Sequence, residues 1–263
     1  MFKREMKVNL KSFVIWLLVL ISIFLIVFIL YPTIINNENM HALKDLMKMF
    51  PEELLIAFNM DISSIDTAYG WLKSEGFVFV LLIIGSYAAI TGSNILLKEE
   101  NDQTIEYLNS LPIKRNNIIF SKVLCGLIYI TLMVLILSLF NFGALLLSQE
   151  FNYKEYILLS LTPLFSSYVI YFFCLFLSTF TNKSNKMISL SLGIVLISYI
   201  LSILSSISKQ TEFLKYFSFF TLADIRNVIL NTEINPFMIL FSISFSVIFL
   251  ILTILNYNNK DLV

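Results

Sequence analysis

Residues 98–122 read KEENDQTIEYLNSLPIKRNNIIFSK. Four basic residues (Lys98, Lys114, Arg115, Lys122) and four acidic ones (Glu99, Glu100, Asp102, Glu106) stand here between two strongly apolar runs. Asp102 is placed to cap a helix running through Tyr107 to Ser110. Its side-chain oxygen can accept from free backbone N–H groups, and its charge suits the positive end of the helix dipole. Ile105 and Leu108 share one face of that helix and Leu111 continues it. Pro112 stops it, because proline lacks the N–H and clashes with the preceding turn. Asn116 or Asn117 then caps the next helix. The expected product is a short helix bent against another and joined rigidly to the apolar runs on either side. An ordinary charged loop would explain the charges but not the apolar face or the proline break.

The flanks of this stretch decide the fold class. The chain of 263 residues is 58% hydrophobic and 14% charged, with a mean hydropathy of +0.84. Soluble domains carry roughly 25% charged residues. Apolar runs of about 20 residues recur, each long enough to cross a bilayer core of about 30 Å. The chain is therefore expected to be an all-α polytopic membrane protein: one transmembrane domain over 1–263, without room for a separate soluble one. Net charge is zero, so no overall charge bias points to nucleic acid.

Six spans are expected, at about 12–31, 76–97, 117–147, 156–180, 187–207 and 236–256, with the polar linker at 98–116. The first is closed by Tyr31-Pro32. It is too long for a signal-peptide core and lacks a small-residue cleavage site, so it reads as a retained helix. The loop 32–75 holds Leu43, Leu46, Met47, Phe50, Leu54, Leu55 and Phe58 at three- and four-residue steps, interrupted by Pro51. These form one or two amphipathic helices, either packed on the helix ends or gating a substrate path. In the second span Gly85, Ala89 and Gly92 share one face. Small residues let helix backbones approach closely in lipid, and the partner helix is either in this chain or in a second copy. Pro163 should bend the fourth span unless the helix begins there. The fifth carries Ser191, Ser198, Ser202 and Ser205 on one face: either serines bonded back to their own helix or, for Ser198, Ser202 and Ser205, a polar wall of a translocation path. Gly193 lies off that face and is assigned to packing. Residues 208–235 mix aromatic and polar groups and read as short helices dipping into the interface, a re-entrant segment before the last span. Asn235-Pro236 supplies an N-cap and an N1 proline for that span.

Six spans place both termini on one side. With the termini inside, inner segments hold 11 basic residues and outer loops 7, although the outer loops are longer. Positive charge follows the cytoplasmic side, so both termini and 98–122 are expected in the cytoplasm.

Several chemistries are excluded or disfavoured. The span interiors carry no Asp, Glu, Lys, Arg or His, with Lys122 at the mouth of the third. Ion and proton pathways usually need such groups at membrane depth, which argues against a proton-coupled antiporter or a voltage sensor. Glu99-Glu100 suggests a glutamate-type intramembrane protease, but Thr104 stands where that pattern needs arginine. The single histidine, His41, lies in a loop. No nucleophile can be paired with a base, so no catalytic residue, metal or bound cofactor is expected. Cys125 and Cys174 lie in apolar runs as free thiols acting as small hydrophobes. No GxxxxGK[ST] is present to cradle a nucleotide, so any energy for transport must come from another protein or from an ion gradient.

Glu100, then Gln103-Thr104-Ile105-Glu106, Leu108, Ser110-Leu111-Pro112-Ile113, Arg115 and Lys122 resembles the signature between the second and third spans of ABC type-2 exporter permeases. The close match covers about 25 residues, and the six-span layout with its outer loops extends it loosely over the chain. Gln103 stands where glycine is common, and Lys114 where serine or threonine is common. The resemblance implies that this stretch is a coupling helix seated in a groove of a cytosolic ABC ATPase subunit. ATP and Mg would be held by that partner, and a second permease copy, identical or not, completes the working unit. Glu100, Glu106 and Arg115 would be docking contacts, with Leu108 and Leu111 as the apolar key and Thr104 and Pro112 shaping the turn. The implied location is a bacterial cell membrane. The apolar interiors and aromatic outer segments favour a hydrophobic or amphipathic substrate such as a drug, an antimicrobial peptide or a lipid. The competing reading is a channel, facilitator or scaffold that works without an ATPase.

Overall fold

The computed structural model describes residues 1–34, 44–51, 55, 67–105, 114–148, 151–223 and 225–260. Among the described residues, six long helices have the length and apolarity to cross a membrane. They are α1 (Phe2–Ile34), α2 (Ala68–Asn94), α4 (Arg115–Ser148), α5 (Tyr153–Ser178), α6 (Ser184–Ile207) and α8 (Pro236–Asn259). Short helices among the described linker residues include α3 (Lys98–Asn101) and α7 (Ile225–Asn231). No strand occurs among the described residues.

The bundle is organised around α2 and α5. Of the residues in their apolar windows 61% are buried, against 17–22% in α1, α6 and α8. α5 packs on α2, α4 and α8, while α6 lies on α2 and α1 on α4. Composition explains the central pair. Gly92 of α2 faces the backbone of α5 so closely that an added Cβ would overlap the carbonyl oxygen of Tyr171 and approach Leu175 N at 3.3 Å. Ala88 and Ala89 beside it are fully buried. The Gly85 Cα points at Phe220, whose Cζ would stand 3.0 Å from an added Cβ. The small face of α2 thus meets elements of the same chain. Gly193, by contrast, has nothing within 4 Å of an added Cβ, so it packs against no described part of this chain.

Several helix ends differ from the sequence expectation. α1 begins at Phe2, so the basic segment 1–11 is its first three turns, and it runs on past Pro32 to Ile34. α2 begins at Ala68 rather than near Gly76. The Thr67 hydroxyl caps it by accepting from Gly70 N at 2.9 Å, and a π-turn follows over Leu72–Gly76. α4 starts at Arg115, ahead of the two asparagines expected to cap it. α5 is capped by Asn152, which accepts from Lys154 N and Glu155 N, so Pro163 sits well inside it. The helix survives because the Thr162 hydroxyl donates to the Leu159 carbonyl at 2.8 Å. That carbonyl is the one a residue-163 N–H would have served, and hydroxyls commonly re-satisfy groups freed by proline in membrane helices. At α8 the Asn235 side chain caps Phe237 N ahead of Pro236, as expected from the dipeptide.

Of the loop 32–75, the described part before Thr67 is 44–51 with Leu55. A helical turn over 44–47 buries Met47, while Leu46, Met49 and Phe50 stay exposed. Leu43, Leu54 and Phe58 lie outside the described residues. Between α6 and α8 the chain forms two 3-10 turns, Glu212–Phe217 and Phe220–Ala223, and then α7. Phe220, Leu222, Ala223, Ile225 and Val228 bury this segment against the bundle, chiefly on α5 and α6.

Candidate functional site

The N-terminus of α1, the C-termini of α2, α5 and α8, and the N-termini of α4 and α6 share one end of the bundle. α3 lies there, and its two consecutive acids are buried. Adjacent residues on a helix project about 100° apart, so Glu99 and Glu100 reach different neighbours. Glu99 pairs with Lys122, which also donates to the Ile95 carbonyl at 2.6 Å and lies 3.8 Å from Glu5 Oε2. Glu100 takes Lys260 through both oxygens, at 2.9 and 3.0 Å, and Lys260 donates further to Thr181 O at 2.9 Å.

One short helix is thereby tied to the ends of several long ones. The Glu99 arm holds α1 through Glu5, the end of α2 through the free Ile95 carbonyl, and α4 through Lys122. The Glu100 arm holds the end of α8 and the turn between α5 and α6. Arg115 adds a second clamp on α8, its Nη1 donating to Asn258 O and Lys260 O at 3.2 Å each. A cation on the free carbonyls of a helix C-terminus also meets the negative end of the dipole. Asn258 Nδ2 bonds Asn116 Oδ1 at 2.9 Å, and Asn256 Nδ2 bonds Thr179 Oγ1 at 2.7 Å. Further along α4 from this end, Tyr129 donates to Met6 O.

Two sequence readings change here. Lys122 is not at a solvated mouth: it is completely buried within the first turns of α4. Asp102 does not open a helix; it is the C-cap residue of α3. Gln103 follows with φ 54°. Gln103 N donates to Glu100 O at 3.4 Å and Thr104 N to Glu99 O at 2.9 Å. This is the paired hydrogen-bond pattern of a Schellman ending, whose left-handed residue is normally glycine. Gln103 therefore stands where only a glycine is free of strain. Gln103→Gly is expected to stabilise the fold by about 1 kcal/mol, read as a later thermal midpoint.

Of the residues assigned to coupling, Glu100 is turned inward with its side chain 1% exposed. Arg115 is half-buried on α8, and Thr104 is exposed ahead of a helical residue at Ile105. Glu106, Leu108, Leu111 and Pro112 lie outside the described residues. Glu5, Glu99 and Lys260 are the partners that sequence reasoning missed. Glu5 is the lone acid in a basic segment, which was a usable signal.

The serine face of α6 divides along its length, with Ser191 nearer the end that holds α3 and Ser198, Ser202 and Ser205 toward the opposite end. Ser191 Oγ donates to Ile188 O at 2.9 Å and bonds Ser93 Oγ at 3.3 Å. Ser198 Oγ accepts from Phe219 N at 2.8 Å, and Ser218 Oγ donates to the Ser198 carbonyl at 2.7 Å. Ser198 thus pins the segment before α8 onto α6. Ser198→Ala is expected to leave the half-buried Phe219 N–H unpaired, at a cost of about 1–3 kcal/mol. Faster amide exchange across 212–223, with protection of α2 and α5 unchanged, would register it. Ser202 and Ser205 line a cleft of about 470 Å³ with the same segment. The nearby Lys73–Glu155 pair, 3.2 Å apart, joins α2 to α5 under the ring of Tyr69.

Neither a curated protein nor a solved structure matches the chain significantly. A family model described as ABC-2 family transporter protein matches residues 1–262. Six apolar helices and a match over nearly the whole length lead to one conclusion: the chain belongs to the ABC-2 family of transporter proteins, as a membrane permease.

Proposed function

We propose that the chain is the permease subunit of an ATP-driven exporter that moves a hydrophobic or amphipathic substrate, such as a drug, an antimicrobial peptide or a lipid, across a bacterial cell membrane. A separate cytosolic subunit binds ATP and Mg, and a second permease copy completes the pore. Both termini and α3 face the cytoplasm, in keeping with the excess of basic residues at that end.

The double tie made by Glu99 and Glu100 carries this reading. A loop that receives force must pass it to the spans without yielding. Here two adjacent carboxylates, each on its own lysine, fasten α3 to the ends of α1, α2, α4 and α8. Glu106, Leu108, Leu111 and Pro112 supply the docking key, Thr104 precedes it, and Glu100 and Arg115 hold the flanks of that key in place.

The test is a pull-down of the tagged protein from its host in mild detergent, with mass spectrometry of the co-purified proteins. An ATP-binding subunit is expected with the natural chain and is lost with Glu106→Ala plus Leu108→Ala, the variant still folding. Recovery of this chain alone, in several detergents and after cross-linking in intact membranes, would replace the exporter reading with a channel or scaffold.

A further inference from the structure

The cleft at the far end of the bundle has a chemistry that the coupling end does not explain. It lies between Leu81 of α2, the last turn of α6, the 3-10 segment and the start of α8 at Met238, and measures about 470 Å³. That is within the range of small-ligand sites, roughly 300–1,000 Å³.

Among the described residues, Lys209, Lys215 and Arg226 line it against one acid, Glu212. Lys215 Nζ donates to Glu212 Oε1 at 2.7 Å. That hydrogen bond holds the Glu212 carboxyl below its ordinary range, so the acid stays ionised and paired. Lys209 and Arg226 make no ion pair among the described residues. Ser202 makes no side-chain hydrogen bond there, which leaves its hydroxyl as a donor into the same space. The apolar share of the wall comes from Leu81, Phe220, Ile225 and Met238. Close in sequence to lining residues, Phe213, Tyr216, Phe217 and Phe237 are all more than half exposed. Exposed aromatic rings at a bundle end mark headgroup depth. Lys209 and Arg226, which form no ion pair among the described residues, with a hydroxyl and an apolar wall at that depth match a ligand with an anionic head and a hydrocarbon body.

We propose that this cleft binds the anionic headgroup of an amphiphile whose chains lie in the adjoining leaflet. Lys209 and Arg226 neutralise the head, Ser202 donates to it, and the apolar wall takes the first carbons below it. A soluble anion would gain nothing from that wall or from the exposed aromatic rings. The inference does not depend on an ATP-driven partner, and its test needs none.

The full chain, purified in non-ionic detergent, is mixed with equimolar phosphatidylglycerol and phosphatidylcholine, and the lipid retained after gel filtration is quantified. Each cation near a headgroup is worth about fivefold in preference for anionic lipid, so the natural chain should favour phosphatidylglycerol roughly 20-fold. Lys209→Gln with Arg226→Gln should abolish the preference, and Lys209→Arg should retain it. If the double variant unfolds early, Lys209→Gln alone should still lose about fivefold. An unchanged preference in these variants, or none in the natural chain, overturns the proposal. Displacement of the lipid by free glycerol 1-phosphate at equal concentration would also overturn it, in favour of a soluble phosphate ester.

Discussion

Lys122→Met will lower the stability of the bundle by about 3–5 kcal/mol, the usual cost of removing one partner from a buried ion pair. The methionine fits the volume, so packing is not the cause. The loss comes from the two carboxylates left behind: Glu99 and Glu5 are both buried and lose the cation they face. The Ile95 carbonyl loses its donor as well. Set against total stabilities of about 5–15 kcal/mol, this is among the largest effects a single replacement can have here. The two free thiols offer a direct measurement, because both are buried and react with a dye only on opening. Cys125 lies one turn from Lys122 and reports local opening. Cys174 lies on α5 and reports loss of the bundle. Both should become reactive at markedly lower temperature in Lys122→Met. Adding Glu99→Gln and Glu5→Gln should recover most of the loss, since neutral amides tolerate burial far better than unpaired carboxylates. Equal thermal midpoints for Lys122→Met and the natural chain would show that the ion pair contributes nothing.

Gly92→Leu will prevent assembly of α2 on α5. The obstacle at this site is backbone, the Tyr171 carbonyl and Leu175 N, so no side-chain rotation relieves it. Even Gly92→Ala must push two helices apart along their main contact, at about 1–3 kcal/mol. Gly193→Ala is the matched control. It has open space around the new methyl and should leave the midpoint nearly unchanged. Detergent-soluble yield and the Cys174 thermal midpoint separate the three variants. Equal behaviour of Gly92→Ala and Gly193→Ala would rule out close approach of α2 and α5 at Gly92.

Much of this architecture is legible in the sequence because it depends on local chemistry. Runs of about 20 apolar residues can satisfy their backbone in lipid only as helices, and that alone sets the number of spans. The Asn235-Pro236 start of α8 and the small face of α2 come from residues within one or two turns of each other. Gln103 stands out of pattern in the sequence, and the left-handed φ there gives the reason. Tertiary structure decides the rest. Lys122 finds Glu99 across 23 residues and Glu5 across 117, and Lys260 finds Glu100 across 160. No periodicity carries such pairings, since each depends on which helix ends the fold brings together. Asp102 reads as a helix start yet closes one: its carboxylate suits an N-terminus, but the left-handed turn at Gln103 ends α3 there. The serines of α6 show the same division. Their spacing puts them on one face, but only the packed segment 212–223 determines that Ser198 is consumed in holding it, while Ser202 remains open to the cleft.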